Sequence, residues 1–370
     1  MPDYFIGLMS GTSLDGVDAA LVRFGSDDFT VVATHYQAYD PALRARLQQT
    51  CYAQQVAFTE LGSLDAELGG IFAGCCQQLL ASAGIGPEAV RAIGSHGQTV
   101  YHHPHGSHPF SLQIGDPNRL AQATGITTVA DFRRRDIAAG GQGAPLAPAF
   151  HHAAFQAETS HRIVANIGGI ANLTVLPPAG RGEVLGFDCG PGNTLLDHWA
   201  QRHLGTAWDA GGEWARGGQA DVELLGRLLD DGYFRAPPPK STGQEHFSPD
   251  WLNGKLQGCA LPPRDVQATL CLLTATAIVD AAAPWSGLTG HLLVCGGGSN
   301  NAFLMETLQR LVPCPVTTTE AFGVHPDWVE AVAFAWLARQ TLTGRPGNLP
   351  SVTGAGSPVV LGAVYPGAAG

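Results

Sequence analysis

The chain has 370 residues, 45% of them hydrophobic, and a formal net charge of −11 from 20 Lys and Arg against 31 Asp and Glu. That length and apolar share are enough for two domains with cores of their own, and the acidic balance disfavours nucleic acid or an anionic membrane as partner. Glycine (48) and proline (25) are abundant without a strict period, which excludes collagen and points to many tight turns.

Tyr4 to Met9 reads as a buried strand, Ser10-Gly-Thr-Ser-Leu-Asp-Gly16 as a turn, and Val17 to Phe24 as a returning strand. A third strand, Thr30 to Ala38, precedes helical segments after Pro41 and from Thr59 to Ala83. Val90 to Gly94 is a short strand running into Ser95-His-Gly-Gln-Thr99. Ile126 to Ala130 is another, followed by Asp131-Phe-Arg-Arg-Arg-Asp136. The order then recurs: strand His161 to Asn166, turn Ile167-Gly-Gly169, strand Ile170 to Leu176, and strand Glu183 to Asp188. A helix through about His203 and a long apolar helix, Asp265 to Ala283, follow. Strand His291 to Cys295 runs into Gly296-Gly-Gly-Ser-Asn300, then come a helix to Leu311, strand Cys314 to Thr318 and helix Asp327 to Leu342. Two α/β domains built alike, residues 1–155 and 156–370, are expected to face each other across a cleft. Ligands of such sheets bind at the carboxyl ends of strands.

Several turns can carry chemistry. Gly11, Thr12, Ser13, Leu14, Asp15, Gly16, Val17 and Asp18 offer backbone N–H groups and hydroxyls of the kind that wrap phosphate. Asp15 and Asp18 can hold a magnesium ion through water, or simply cap the turn. A plain hairpin is the commoner meaning of one such turn, but Gly168 and Gly169 in Asn166-Ile-Gly-Gly-Ile-Ala-Asn172 supply a second. A Walker A loop is excluded, because Lys240 follows three prolines and Lys255 is followed by leucine. Asp188, in Gly186-Phe-Asp-Cys-Gly-Pro-Gly-Asn193, stands at a strand end where a carboxylate can serve as general base or only as a turn residue. Gly296, Gly297 and Gly298 can pack flat against an adenine or ribose. Arg133, within an arginine run, can grip an anion or be solvated. His96 at a strand end can contact substrate, and Glu330 can reach the same site or balance a helix dipole. The histidines at 102, 103, 105 and 108 read as a polar loop.

The opening Met1-Pro-Asp-Tyr-Phe-Ile-Gly7 lacks the basic region and apolar run of a secretory leader. The most apolar stretch, Thr269 to Ala283, is interrupted by Asp280 and reads as too short to span a bilayer. Eight cysteines form no Cys-x-x-Cys pair, several sit inside apolar strands or helices, and a disulfide framework is not expected in a chain this large, which points to the cytoplasm.

Long motifs in a fixed order resemble the anhydro-N-acetylmuramic acid kinases of bacterial cell-wall recycling. They run through Gly7 to Asp18, Ile93 to Thr99, Gln113-Ile-Gly-Asp-Pro117, Val129 to Asp136 and Ala139-Gly-Gly-Gln-Gly-Ala-Pro145. Asn166 to Asn172, Gly186 to Asn193 and Pro239-Lys-Ser-Thr-Gly243 complete the set. The resemblance implies an α/β fold of two similar RNase H-like, actin-like ATPase domains. It implies ATP and Mg2+ as cofactors, 1,6-anhydro-N-acetylmuramic acid as small-molecule partner, and a homodimer. It also implies Asp188 as catalytic base, Gly11 to Asp18 as nucleotide loop with Asp15 towards the metal, and N-acetylmuramic acid 6-phosphate and ADP as products. An actin-like ATPase driving assembly, a sugar-sensing transcription factor and an ATP-independent anhydro-sugar hydrolase are the alternatives. The first two need extensions that no segment resembles, and the third leaves paired phosphate turns unexplained.

Overall fold

The computed structural model describes residues 3–367 apart from 27, 54, 286 and 288. The chain divides into two units, Met1–Phe150 with Trp328–Gly370, and His151–Asp327.

In the first unit the sheet comprises β1 (Asp3–Ser10), β2 (Gly16–Phe24), β3 (Phe29–Ala38), β4 (Val90–His103), β5 (Phe110–Ile114), β6 (Thr128–Ala130) and the chain's last strand, β12 (Ala363–Tyr365). Their lateral order is β12-β6-β4-β1-β2-β3, with β5 paired to β4. β1, β2 and β3 form an antiparallel meander, whereas β4 lies parallel to β1 and β6 parallel to β4. One face is apolar at alternate positions. Ile6, Leu8, Val17, Ala19 and Leu21 bury themselves with Leu64, Leu68, Phe72 and Leu79 of the Phe58–Ala83 helix. The other face carries the Val329–Leu342 helix, which rests on bare backbone. A side chain at Gly7 would overlap Ala331 O, and one at Gly94 would overlap Phe334 O.

The second unit repeats the plan with β7 (His161–Ile167), β8 (Ile170–Leu176), β9 (Leu185–Pro191), β10 (Thr289–Cys295) and β11 (Val316–Thr318) in the order β11-β10-β7-β8-β9. Here too three antiparallel strands are extended by two parallel ones. Its core joins Ile163, Ala165, Leu173 and Val175 to Leu270, Leu273 and Ile278 of the Pro263–Ala282 helix. The expected α/β class, with two units built on sheets of like strand order, is what the structure displays.

Three expectations need correction. Residues 328–370 belong to the first unit rather than to a domain running from 156 to the end, because the 329–342 helix covers β1 and β4 and because β12 pairs with β6. β4 continues through His103 rather than ending near Gly94, since β5 pairs with its second half, and His102 Nδ1 lies 3.0 Å from Ser111 Oγ. That places His102 and His103 in a strand and not in a loop. The apolar helix of the second unit, with its final turn, reaches from Pro263 to Trp285, long enough by length and composition to cross a bilayer; two thirds of its most apolar window is buried inside the protein, as befits a core helix.

Candidate active site

The residues singled out in the sequence fall into two sets, one on each unit. On the second unit, the parallel strands β7 and β10 bring Asn166 beside Cys295, so the turns that follow them are neighbours. The β7–β8 turn is held from beneath. Gly192 N–H donates to Gly169 O at 2.9 Å, Asn193 N–H to Gly168 O at 2.8 Å, and Thr194 Oγ1–H to Gly169 O at 2.9 Å. A side chain at Gly192 would overlap Gly168 O, and one at Gly298 would overlap Ile167. Gly168, Gly169, Gly296, Gly297 and Gly298 thus gather around Ile167, at the carboxyl ends of β7 and β10, with Asn193 Nδ2–H donating to Ile167 O. Ser299 Oγ–H closes the glycine turn onto Gly296 O at 2.8 Å.

Asp188 lies on β9 opposite Asn172. The register slips between Ala171 and Asn172, so Cys189 is an extra residue on the β9 side, the kind of bulge that redirects a neighbouring side chain. The backbone around Asp188 is pinned twice: its N–H donates to Lys240 O at 3.1 Å, and its carbonyl accepts from Tyr233 Oη–H at 2.8 Å. Asp188 Oδ2 accepts from the Thr242 N–H at 3.0 Å. Burial raises the carboxyl to about 6 despite that bond, and Glu245 adds to the rise. A carboxylate of that affinity is ionised at neutral pH and still basic enough to take a proton in a transition state. Thr242 Oγ1 is buried with no hydrogen-bond partner, a free hydroxyl beside the base.

On the first unit the β1–β2 turn is anchored at its root. Ser10 Oγ–H donates to Gln98 Oε1 at 2.6 Å, Tyr39 Oη lies 2.6 Å from the same Ser10 oxygen, and Gln98 Nε2–H donates to Gly11 O at 3.2 Å. Leu14 adopts φ 53°, and Ser13 Oγ–H donates to Asp15 Oδ1 at 2.6 Å. Thr12, Ser13 and Asp15 are exposed, whereas Leu14, Gly16 and Val17 are buried at the base of the turn. Among the described residues no three His, Cys, Asp or Glu side chains group as a metal cage. Asp15 and Asp18, two carboxylates on one hairpin, fit the sparse protein ligation that magnesium accepts when phosphate oxygens and water complete its octahedron.

His96, Arg133 and Glu330 also come together on this unit. Arg133 Nη2–H donates to His96 Nε2 at 2.8 Å, and Arg133 Nη1–H donates to Gly143 O at 2.7 Å. Since a guanidinium can only donate, His96 Nε2 is the acceptor, and the ring proton sits on Nδ1, 3.1 Å from Ser10 O. Burial and Arg133 lower the imidazole to about 3, so it is neutral. Both ring nitrogens are committed within the protein, which makes His96 a residue that positions Arg133. Burial lowers Arg133 to about 10, with Glu330 and Asp136 opposing, and its Nε–H has no partner. Glu330 is open to solvent yet crowded by protein, which raises its carboxyl against the pull of Arg133.

Sequence reasoning missed Thr242, Tyr233 and Asp136. The 239–243 motif was visible, but nothing in it says that its backbone would cap a carboxylate 54 residues away. Asp136, fully buried, accepts from Gly143 N–H, Asn348 Nδ2–H and Thr353 Oγ1–H, and so ties the loop that receives Arg133 to the C-terminal segment.

A family model described as anhydro-N-acetylmuramic acid kinase matches residues 3–367. Proteins named anhydro-N-acetylmuramic acid kinase from Coxiella burnetii (strain Dugway 5J108-111) and Pasteurella multocida (strain Pm70) are 50% and 51% identical to this chain. Each alignment covers 98% of this chain and 97% of the relative. Among solved structures, component A of the (R)-2-hydroxyglutaryl-CoA dehydratase of Acidaminococcus fermentans aligns over 90% of this chain and 96% of its own. Its TM-score of 0.47 and 11% identity are too distant to carry a functional argument. The chain belongs to the anhydro-N-acetylmuramic acid kinase family, and is accordingly a phosphotransferase that takes ATP and a small-molecule sugar.

Proposed function

We propose that this kinase opens the 1,6-anhydro bridge of 1,6-anhydro-N-acetylmuramic acid with water and phosphorylates the oxygen so released, giving N-acetylmuramic acid 6-phosphate and ADP. The observation that carries the reading is Asp188, a half-buried carboxylate raised to about 6 and fixed by the Thr242 N–H. An anhydro sugar has no 6-hydroxyl, so a kinase base finds no proton there to remove. Asp188 takes a proton from water instead, and the water oxygen bonds to the anomeric carbon as the bond from that carbon to the bridge oxygen breaks. The bridge oxygen bonds to the γ-phosphorus, and the bond from phosphorus to the β,γ-bridging oxygen breaks to release ADP. The proton on Asp188 returns to solvent. Carboxylate activation of water opposite a departing sugar oxygen is the logic of an inverting glycosidase.

The remaining roles follow from residue chemistry. The backbone amides of Gly11 to Asp18 and of Gly168 and Gly169 bind the phosphates, and Gly296 to Gly298 take the adenosine. Magnesium, held by Asp15 with Asp18 nearby, supplies charge neutralisation to the phosphoryl group. Arg133 and Glu330 hold the sugar, with His96 setting the guanidinium. The cytoplasm, where ATP is found, and a homodimer complete the reading; light scattering on the eluting protein measures the latter.

The test is a mass spectrum of the product formed with ATP and magnesium in water enriched in oxygen-18. One phosphate and one heavy oxygen at the anomeric position are expected. A hydrolysed, unphosphorylated sugar would convert the reading to a hydrolase. Asp188→Asn is expected to lower turnover by about 10²- to 10⁴-fold with nucleotide binding retained; unchanged turnover removes Asp188 from the base role.

A further inference from the structure

The run Pro239-Lys-Ser-Thr-Gly243 has no part in the roles assigned above beyond the Thr242 N–H, and it holds Lys240, one of only two lysines in the chain. The half-buried ammonium of Lys240 meets carbonyls and not a carboxylate. Nζ–H donates to Tyr233 O at 3.1 Å and to Phe234 O at 3.4 Å, and the nitrogen lies 4.7 Å from the centre of the Tyr233 ring. Those carbonyls belong to the short Gly232–Arg235 helix, whose last carbonyls have no partner within the helix and suit a lysine donor. Burial pulls the amine down from the ordinary lysine value, so a charge is held here at a cost that a solvated lysine does not carry.

Every contact of Lys240 leads to Asp188. Its own carbonyl accepts the Asp188 N–H, and Tyr233, which its ammonium holds, donates Oη–H to the Asp188 carbonyl. Two residues further on, the Thr242 N–H meets Asp188 Oδ2. Phe234, also held by the ammonium, lies against bare backbone of β9: a side chain at Gly190 would overlap its ring. We propose that Lys240 is a positioning residue for the base: it fastens residues 239–243 to Tyr233 and Phe234, and so fixes the Thr242 N–H against the Asp188 carboxylate. It acts through Asp188 and touches no reacting atom. This rests on the reading of Asp188 as the group that takes the proton from water. The titratable groups around that carboxylate are Cys189, Tyr233, Glu245 and Lys240 itself. Burial pushes the thiol and the phenol up, away from the range in which Asp188 ionises.

Rates against pH for the full chain and for Lys240→Met, Lys240→Gln and Lys240→Arg, with ATP, magnesium and 1,6-anhydro-N-acetylmuramic acid, test it. The Thr242 N–H bond pulls the Asp188 carboxyl down against burial, so a loosened bond lets it rise. Lys240→Met is expected to lower kcat about tenfold or more, with KM for ATP and for the sugar within about twofold of wild type. Its acid limb in kcat is expected to move upward by about half a pH unit or more. Lys240→Gln, a donor too short to hold both carbonyls, is expected to move the limb the same way, and decides the matter where the methionine variant fails to fold. Lys240→Arg, which can still donate to both carbonyls, is expected to recover most of kcat and return the limb. The displacement is expected to be the same at about 0.05 and 0.5 M salt; one that salt abolishes is the loss of a charge, and overturns the positioning role. So does a limb that stays in place in the methionine and glutamine variants, or a raised KM for ATP with kcat unchanged, which makes Lys240 a phosphate contact. A wild type with no limb near pH 6 and an active Asp188→Asn refute the base reading itself, and the positioning role with it.

Discussion

The imidazole of His96 is held between two groups of fixed character, a carbonyl that can only accept and a guanidinium that can only donate, so its tautomer follows from its neighbours. His96→Ala would release Arg133 from this constraint. The expected result is a KM for the sugar raised about tenfold or more with kcat changed much less, as for loss of a binding geometry; an equal fall in kcat alone would contradict it. The pH profile of the wild type should carry no limb from His96, which is neutral throughout the working range, but one from Asp188. Activity is expected to rise through about pH 6 as that carboxyl ionises and then level off. The same shift bears on stability. The folded carboxyl is raised from 3.8 to about 6, so ionisation costs the native state nothing below the lower value and its full penalty above the upper one. Asp188→Asn, which cannot ionise, is therefore expected to be more stable than wild type by about 3 kcal/mol at pH 8 and by little at pH 4, measured by denaturant titration.

Between strand and helix, the decisive contacts are made by absent side chains. Gly94→Ala would drive a methyl into the Phe334 carbonyl and lift the 329–342 helix from β4. A loss of about 2 to 4 kcal/mol in the denaturant midpoint analysis is expected, and a neutral result would show that the helix slides at little cost. Gly192→Ala would press on Gly168 O and push the β7–β8 turn out of place, raising the KM for ATP and lowering the melting temperature with it. Much of this architecture was legible in advance. The alternation of Val17, Ala19 and Leu21, the glycine turns and the doubled order of strands all declare themselves through local periodicity. What stayed hidden is what depends on distant pairing. β5 is a strand of only five residues that exists because β4 runs long enough to receive it. The bulge at Cys189 and the cap from Thr242 are properties of two backbones meeting, and neither backbone carries a sign of the other.

For the whole molecule the division of the chain matters most. The second unit is contiguous, His151–Asp327, whereas the first takes in residues from both ends. A fragment spanning 151–327 is expected to unfold cooperatively on its own. A fragment spanning 1–150 is expected to do so only when 328–370 is supplied, because without it the backbone at Gly7 and Gly94 has no helix above it, Asp136 loses Asn348 and Thr353, and β6 loses β12. Circular dichroism of the two fragments, alone and with the 328–370 peptide, measures this; a stable isolated 1–150 fragment would contradict it.

The same interleaving sets a timetable for synthesis. Strands β1 to β6 of the first unit are made first, yet the helix that roofs them, and β12, are among the last segments to be made. The second unit can close while the ribosome is still working; the first must wait, with one face of its sheet open to the cell, until residues 329–342 have emerged. Maturation thus runs opposite to the order of the chain, and the interval of exposure lengthens with every pause in translating the stretch between.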